Sequence, residues 1–274
     1  MLRAVLDVAD AVPDPARRSF LATAVGGALV GLLGACAVRG DERGRSGGDS
    51  GAGVLSARPA DPAEQFPGPG THALGLDPER DALLHVPAGI QQDRAAPLVV
   101  SLHGAGGDAW AGVALLQGQG DGRGLLLLAP ASRGSTWDAV GGGYGPDLRL
   151  IDLALEQVFR TVAVDPERIA VAGFSDGASY ALGLGLANGA LFSRIVAFSP
   201  GFVPPGRRSG DPAVFISHGT GDEVLPIDRT SRRIVPVLRD EGLDVTYREF
   251  PGPHLVPPEI AEEGMSWLAS DASG

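Results

Sequence analysis

From residue 98 onward, short unbroken apolar runs alternate with longer segments whose apolar residues recur at helical spacing. Residues 98–102 (LVVSL), 125–129 (LLLLA), 168–173 (RIAVAG), 195–198, 214–217 and 245–250 are the strand-like runs, and 83–86 (LLHV) reads as an earlier edge strand. Segments 147–164, 176–187, 228–240 and 258–269 carry the helical spacing between and after them. Strands apolar on both faces cannot face water. The helices that separate them must therefore cover both sides of a parallel sheet. The pattern predicts an α/β fold, a mostly parallel central sheet with helices on both faces. No repeat of 20–50 residues suggests a solenoid or propeller.

A parallel sheet of this kind keeps its chemistry at the carboxyl ends of its strands. Gly173-Phe174-Ser175-Asp176-Gly177 is G-x-S-x-G, set where a buried strand hands over to a helix. A tight strand-to-helix turn exposes the serine oxygen, and the flanking glycines admit a turn that side chains would obstruct. A serine needs a base, and the base needs an orienting acid. Asp222 follows the run at 214–217, with Glu223 as its adjacent competitor, and His254 follows the run at 245–250. His72 lies beside a linker, His85 inside a strand, and His103 and His218 each precede a glycine at a strand end, so structural roles are expected for these four. His103-Gly104-Ala105-Gly106-Gly107 follows the first long strand. The N–H of Ala105 or Gly106, with that of Asp176, would converge on a developing oxyanion. Trp137 and Tyr144, in a glycine-rich loop, and Phe202, after residues 195–198, are candidates to line an acyl pocket.

These motifs resemble the α/β-hydrolase superfamily, in its phospholipase/carboxylesterase branch with polyhydroxybutyrate-depolymerase-like esterases. The residues that carry the resemblance are LHGAGG (102–107), GFSDG (173–177), HGTGDEVLP (218–226) and PGPHLVPPE (251–259). It implies an α/β-hydrolase fold and a catalytic triad of Ser175, Asp222 and His254. The implied activity is a serine esterase that cleaves carboxylic esters through an acyl-enzyme, with no cofactor and no metal. A peptidase or thioesterase on the same fold, or a catalytically silent binding lipoprotein, are the alternatives.

Composition narrows the choice further. All 22 basic residues are arginine, which excludes a catalytic lysine, a Schiff base and a Walker-type phosphate lysine. A net charge of −11 with no basic run makes a poor nucleic-acid binder. A single cysteine allows neither an internal disulfide nor a thiolate zinc cluster. That cysteine has a position with its own meaning. Arg17-Arg18-Ser19-Phe20-Leu21 looks like a twin-arginine export motif, followed by an uncharged apolar run that closes in Leu33-Gly34-Ala35-Cys36, a lipobox pattern. The expected organisation is a lipoprotein signal peptide over 1–35, a flexible linker over 36–70 and a hydrolase domain over 71–274. The expected location is outside the cytoplasm, with Cys36 as a lipid anchor to a bacterial membrane or the protein secreted, and with a small-molecule ester as substrate. Replacing Cys36 by Ser is expected to abolish lipidation and leave uncleaved precursor or soluble protein. Intact-mass spectrometry of the mature N-terminus checks this, and an unlipidated terminus elsewhere in the wild type would refute it.

Overall fold

The computed structural model describes residues 53–270. The export motif, Cys36 and the first part of the expected linker lie outside them. Among the described residues, eight strands form one sheet: β1 (Gly70–Ala73), β2 (Ala82–Val86), β3 (Ala96–Leu102), β4 (Leu126–Pro130), β5 (Val164–Phe174), β6 (Arg194–Phe198), β7 (Ala213–Gly219) and β8 (Val245–Phe250). Their order is β1-β2-β4-β3-β5-β6-β7-β8. From β4 to β8 neighbouring strands pair parallel, and the β1–β2 and β2–β4 pairs are antiparallel. Among the described residues six α-helices accompany them: α1 (Ala109–Asp121), α2 (Asp138–Gly141), α3 (Pro146–Thr161), α4 (Asp176–Ala187), α5 (Ser231–Asp240) and α6 (Pro258–Ala269), with a 3-10 turn at Ile227–Arg229.

Alternation along the strands divides the core between the two faces. Leu98, Val100 and Leu102 of β3 and Ile169 and Val171 of β5 pack with Ile151, Leu155 and Phe159 of α3, Leu182 of α4 and Leu238 of α5. Val99, Ala170 and Ala172 point the other way, toward Leu116 of α1 and Ile260 and Met265 of α6. Among the described residues no helix is long and apolar enough to cross a membrane.

The strand order places a crevice. From β3 the chain crosses to β4 on one side, then returns to β5 on the other, so the loops after β3 and β5 leave in opposite directions. Ligands of open α/β sheets bind at such a switch point, outside the carboxyl ends of the strands. Residues 103–107 and Ser175 sit there.

The structure adds elements that the sequence pattern does not announce. Strand β1 (GTHA) has neither a long apolar run nor full burial. Helix α1 is rich in glycine and its apolar stripe is weak; Asp108 starts it by accepting from the Ala111 N–H at 2.9 Å. The expected linker is also shorter. Leu55 and Ala57 belong to the main core, although they were expected to lie in a flexible segment reaching residue 70. Backbone hydrogen bonds explain the docking. Leu55 N–H donates to Asn188 Oδ1 at 2.8 Å, the Ser56 and Ala57 N–H groups to Asp152, and those of Ala63 and Glu64 to the Arg160 carbonyl. The Asn188 amide nitrogen donates in turn to the Gly53 and Leu184 carbonyls.

Asn188 is buried, and its removal strands the buried Leu55 N–H and Gly53 carbonyl. Asn188→Ala should therefore cost about 2–3 kcal/mol of stability. A urea midpoint equal to that of the wild type would show that the docked segment contributes nothing.

Candidate active site

Ser175 is the hinge between β5 and α4. Its backbone lies at φ 58°, ψ −119°, a region that side chains rarely enter. The two glycines of the motif make this turn possible. A Cβ on Gly173 would sit 2.3 Å from the Gly177 carbonyl oxygen, and a Cβ on Gly177 would sit 2.4 Å from the carbonyl oxygens of both Leu102 and His103. The first turn of α4 thus rests directly on the end of β3. Ser175 N–H is fixed by the Phe198 carbonyl at 2.9 Å.

The structure brings Ser175, His254 and Asp222 together. Ser175 Oγ lies 2.8 Å from His254 Nε2, and His254 Nδ1 lies 2.6 Å from Asp222 Oδ2. The ring of His254 also packs on Phe174, with centroids 4.8 Å apart. Asp222 is held by its own loop, for Oδ1 accepts the N–H groups of Val224 at 2.9 Å and Leu225 at 2.8 Å. Burial pushes this carboxyl up, but the Leu225 N–H and the neighbouring histidines outweigh it and hold it below the ordinary carboxylate value. Glu223, the competing acid, points to solvent.

Loop 103–107 lies against the serine: a Cβ on Gly104 would be 3.5 Å from the Ser175 Cβ. The N–H groups of Ala105 and Asp176 donate to no protein acceptor among the described residues, whereas Gly106 N–H is committed to the Ser135 carbonyl at 2.6 Å. Of the two expected loop donors, Ala105 remains and Gly106 is spent on shaping the loop. His103 shapes it from beneath. Its Nε2 accepts the Ser132 N–H at 3.0 Å, so Nδ1 carries the proton and donates to the Gly104 carbonyl at 2.7 Å. Burial depresses the pKa of this imidazole, in keeping with a neutral ring. Arg80, which the sequence did not single out, donates to the Ser132 and Gly107 carbonyls. Thr136 donates to the Asp176 carboxylate at 2.6 Å.

Trp137 and Tyr144 are corrections. Both were expected to line a pocket, and both are buried in the core. Trp137 stacks between His103 (4.8 Å) and Tyr180 (5.1 Å), and its Nε1–H donates to the His103 carbonyl at 2.9 Å. Tyr144 packs edge-on against Tyr180. The loop turns inward because Asp138 and Asp147 clasp it: Asp138 accepts the N–H groups of Gly145 and Asp147, and Asp147 accepts those of Asp138 and Arg133. Phe202 does stay at the surface, one residue from Gly201, whose N–H donates to Ser179 Oγ in the first turn of α4. Val224 and Leu255, beside the triad acid and base, are exposed as well. A 640 Å³ cavity lined by Pro97, Leu125, Ala213 and Trp267 lies at the amino ends of the strands, away from this chemistry.

Known proteins resemble this chain in sequence and in fold. Residues 148–269, which contain Ser175, Asp222 and His254, match the phospholipase/carboxylesterase family. A probable feruloyl esterase C of Aspergillus terreus is 27% identical over 161 residues, which cover 54% of this chain and 57% of that protein. The chain thus spans little more than half the length of that relative. The crystal structure of esterase PE8 superposes with a TM-score of 0.55 at 24% identity, over 68% of this chain and 95% of that one. A phospholipase/carboxylesterase from Dyadobacter fermentans superposes with a TM-score of 0.53 at 22% identity, over 76% of this chain and all of that one. The fold is that of the α/β-hydrolases.

The hydrogen bonds to Asp222 decide what an amide would do in its place. In Asp222→Asn, the side-chain oxygen must stay at the Oδ1 position, where two N–H groups point at it. The NH₂ then faces His254 Nδ1 and forces that nitrogen to accept, so Nε2 holds the proton and cannot take one from Ser175. Turnover is expected to fall by up to about 10⁴-fold with KM little changed, while Glu223→Gln stays near wild type. Steady-state kinetics on an activated ester checks the pair, and the reverse ranking would reassign the acid.

Proposed function

We propose that this protein is a serine esterase of carboxylic esters, in keeping with the match of residues 148–269 to the phospholipase/carboxylesterase family. The observation that carries the reading is the unbroken chain Ser175 Oγ, His254 Nε2–Nδ1, Asp222 Oδ2, set beside two uncommitted backbone N–H groups. Ser175 Oγ attacks the ester carbonyl while His254 Nε2 takes its proton, and Asp222 stabilises the imidazolium. The carbonyl oxygen, now negative, is met by the N–H groups of Ala105 and Asp176. Such donors act in the transition state and contribute a few kcal/mol each. Collapse expels the alcohol, which receives the proton from His254 and leaves an acyl group on Ser175. Water, deprotonated by the same histidine, then releases the acid and restores the serine.

The surroundings favour an ester with an apolar body. Phe202, Val224 and Leu255, on the loops after β6, β7 and β8, leave large apolar side chains exposed at the same carboxyl end of the sheet as the triad. The curated relative is named for feruloyl esters, so hydroxycinnamoyl esters belong among the candidate substrates. The export motif and Cys36 extend the proposal: the enzyme acts outside the cytoplasm, lipid-anchored at a membrane or released.

A fluorophosphonate probe is expected to label the wild type, and Ser175→Ala to abolish both labelling and hydrolysis of p-nitrophenyl and methyl hydroxycinnamate esters. Labelling that survives in Ser175→Ala would move the nucleophile to another residue, and a wild type inert to the probe and every ester would favour a silent binding protein.

A further inference from the structure

His218 stands behind the triad acid rather than in open packing. It is the penultimate residue of β7, four residues before Asp222, and its side chain is fully buried. Nε2 lies 2.8 Å from the Leu225 carbonyl and 3.1 Å from Asp222 Oδ2, the same oxygen that receives His254. Both neighbours are pure acceptors, so Nε2 must carry the proton. Nδ1 is then an acceptor, and it receives the Ser231 hydroxyl, at the start of α5, over 2.7 Å. The tautomer is fixed from both sides.

We propose that His218 is a positioning residue of the catalytic machinery, a second imidazole whose Nε2–H closes the buried side of Asp222 Oδ2 and leaves that oxygen open toward His254. The inference rests on the serine-esterase reading of the same triad. It accounts for the donor set around the carboxylate: two backbone N–H groups on Oδ1, and one imidazole on each side of Oδ2. A neutral donor suits this task, because a cation so close would drain the charge that Asp222 offers to His254. Burial keeps His218 in that form by holding its pKa below the usual histidine value. The charged groups facing it are Asp222 on its own loop and Glu249 across the β7–β8 pairing, with His254 beyond Asp222. Glu249 is tied to Arg232 and Tyr247, and its pKa is lowered, chiefly by Arg232, so its charge does not change where an esterase works.

Without the Nε2–H, negative charge on Oδ2 is less shared and holds the His254 imidazolium more firmly. The acidic limb of the rate profile must then move to higher pH. Glutamine places an amide N–H about where Nε2 lies, and asparagine stops one bond short of it. Both are polar, so the contrast between them isolates the donor. His218→Gln should keep the acidic limb of the fluorophosphonate labelling rate. His218→Asn should raise that limb by about half a pH unit and lower kcat about tenfold, with KM within about twofold. The downfield NMR resonance of the short His254–Asp222 hydrogen bond should be displaced in His218→Asn and unmoved in His218→Gln. Ser231→Ala loses one oxygen, is the mildest for the fold, and should displace both readouts in the same direction by less.

The proposal is overturned if His218→Asn matches the wild type in both readouts, if His218→Gln shifts as far as His218→Asn, or if Ser231→Ala moves neither. The resonance is read without turnover. A wild type that no fluorophosphonate labels would therefore count against the esterase reading, while the His218 test still gives its own answer.

Discussion

Strand β5 passes into α4 through one residue with a left-handed φ, and the geometry of the site hangs on that turn. Holding Ser175 at φ 58° costs on the order of 1–3 kcal/mol. The turn persists because both flanks are locked. The four valine, isoleucine and alanine residues at 169–172 of β5 are buried in the middle of the sheet, and every residue of α4 from Gly177 to Ala187 is buried. Relaxing Ser175 would mean lifting a buried helix off β3, where Gly177 lets the two backbones approach to near contact. Strain of this size is small beside the burial it would undo.

Once the serine is fixed, the remaining groups are set mainly by main-chain hydrogen bonds. Asp222 is held by the N–H groups of its own loop, and Ala105 by a loop that His103, Arg80 and Ser135 shape through carbonyl and amide contacts. His254 is braced by the Phe174 ring, which belongs to the same motif as the nucleophile. The site is therefore rigid where protons move. The exposed apolar residues Phe202, Val224 and Leu255 lie on the loops after β6, β7 and β8, at the same end of the sheet.

Much of this was legible along the chain, and the misses share a cause. The parallel strands were visible because full burial demands unbroken apolar runs, and Ser175, Asp222 and His254 were visible because each follows such a run at its carboxyl end. Strand β1 was not visible: a four-residue edge strand has too little apolar content to stand out. Leu55 and Ala57 looked like linker because the groups that hold them, Asn188 and Asp152, lie far along the chain. Trp137 and Tyr144 sit in a glycine-rich loop, which reads as open surface until the Asp138–Asp147 clasp folds it inward.

By itself the sequence determined the class of fold, the strand-to-helix position of the nucleophile and the order serine, acid, histidine. These depend on local patterns: alternation, glycine spacing and the residues that follow a buried strand. Only the tertiary structure decided which oxyanion N–H is free, which aromatic residues are core, and that a second histidine, fully buried, touches the triad acid. Each of those outcomes is a question of which carbonyl, carboxylate or amide a polar group meets once the loops have folded. Hydrogen bonds made by loop residues leave no periodic trace in the sequence that makes them, whether the partners lie near or far along the chain.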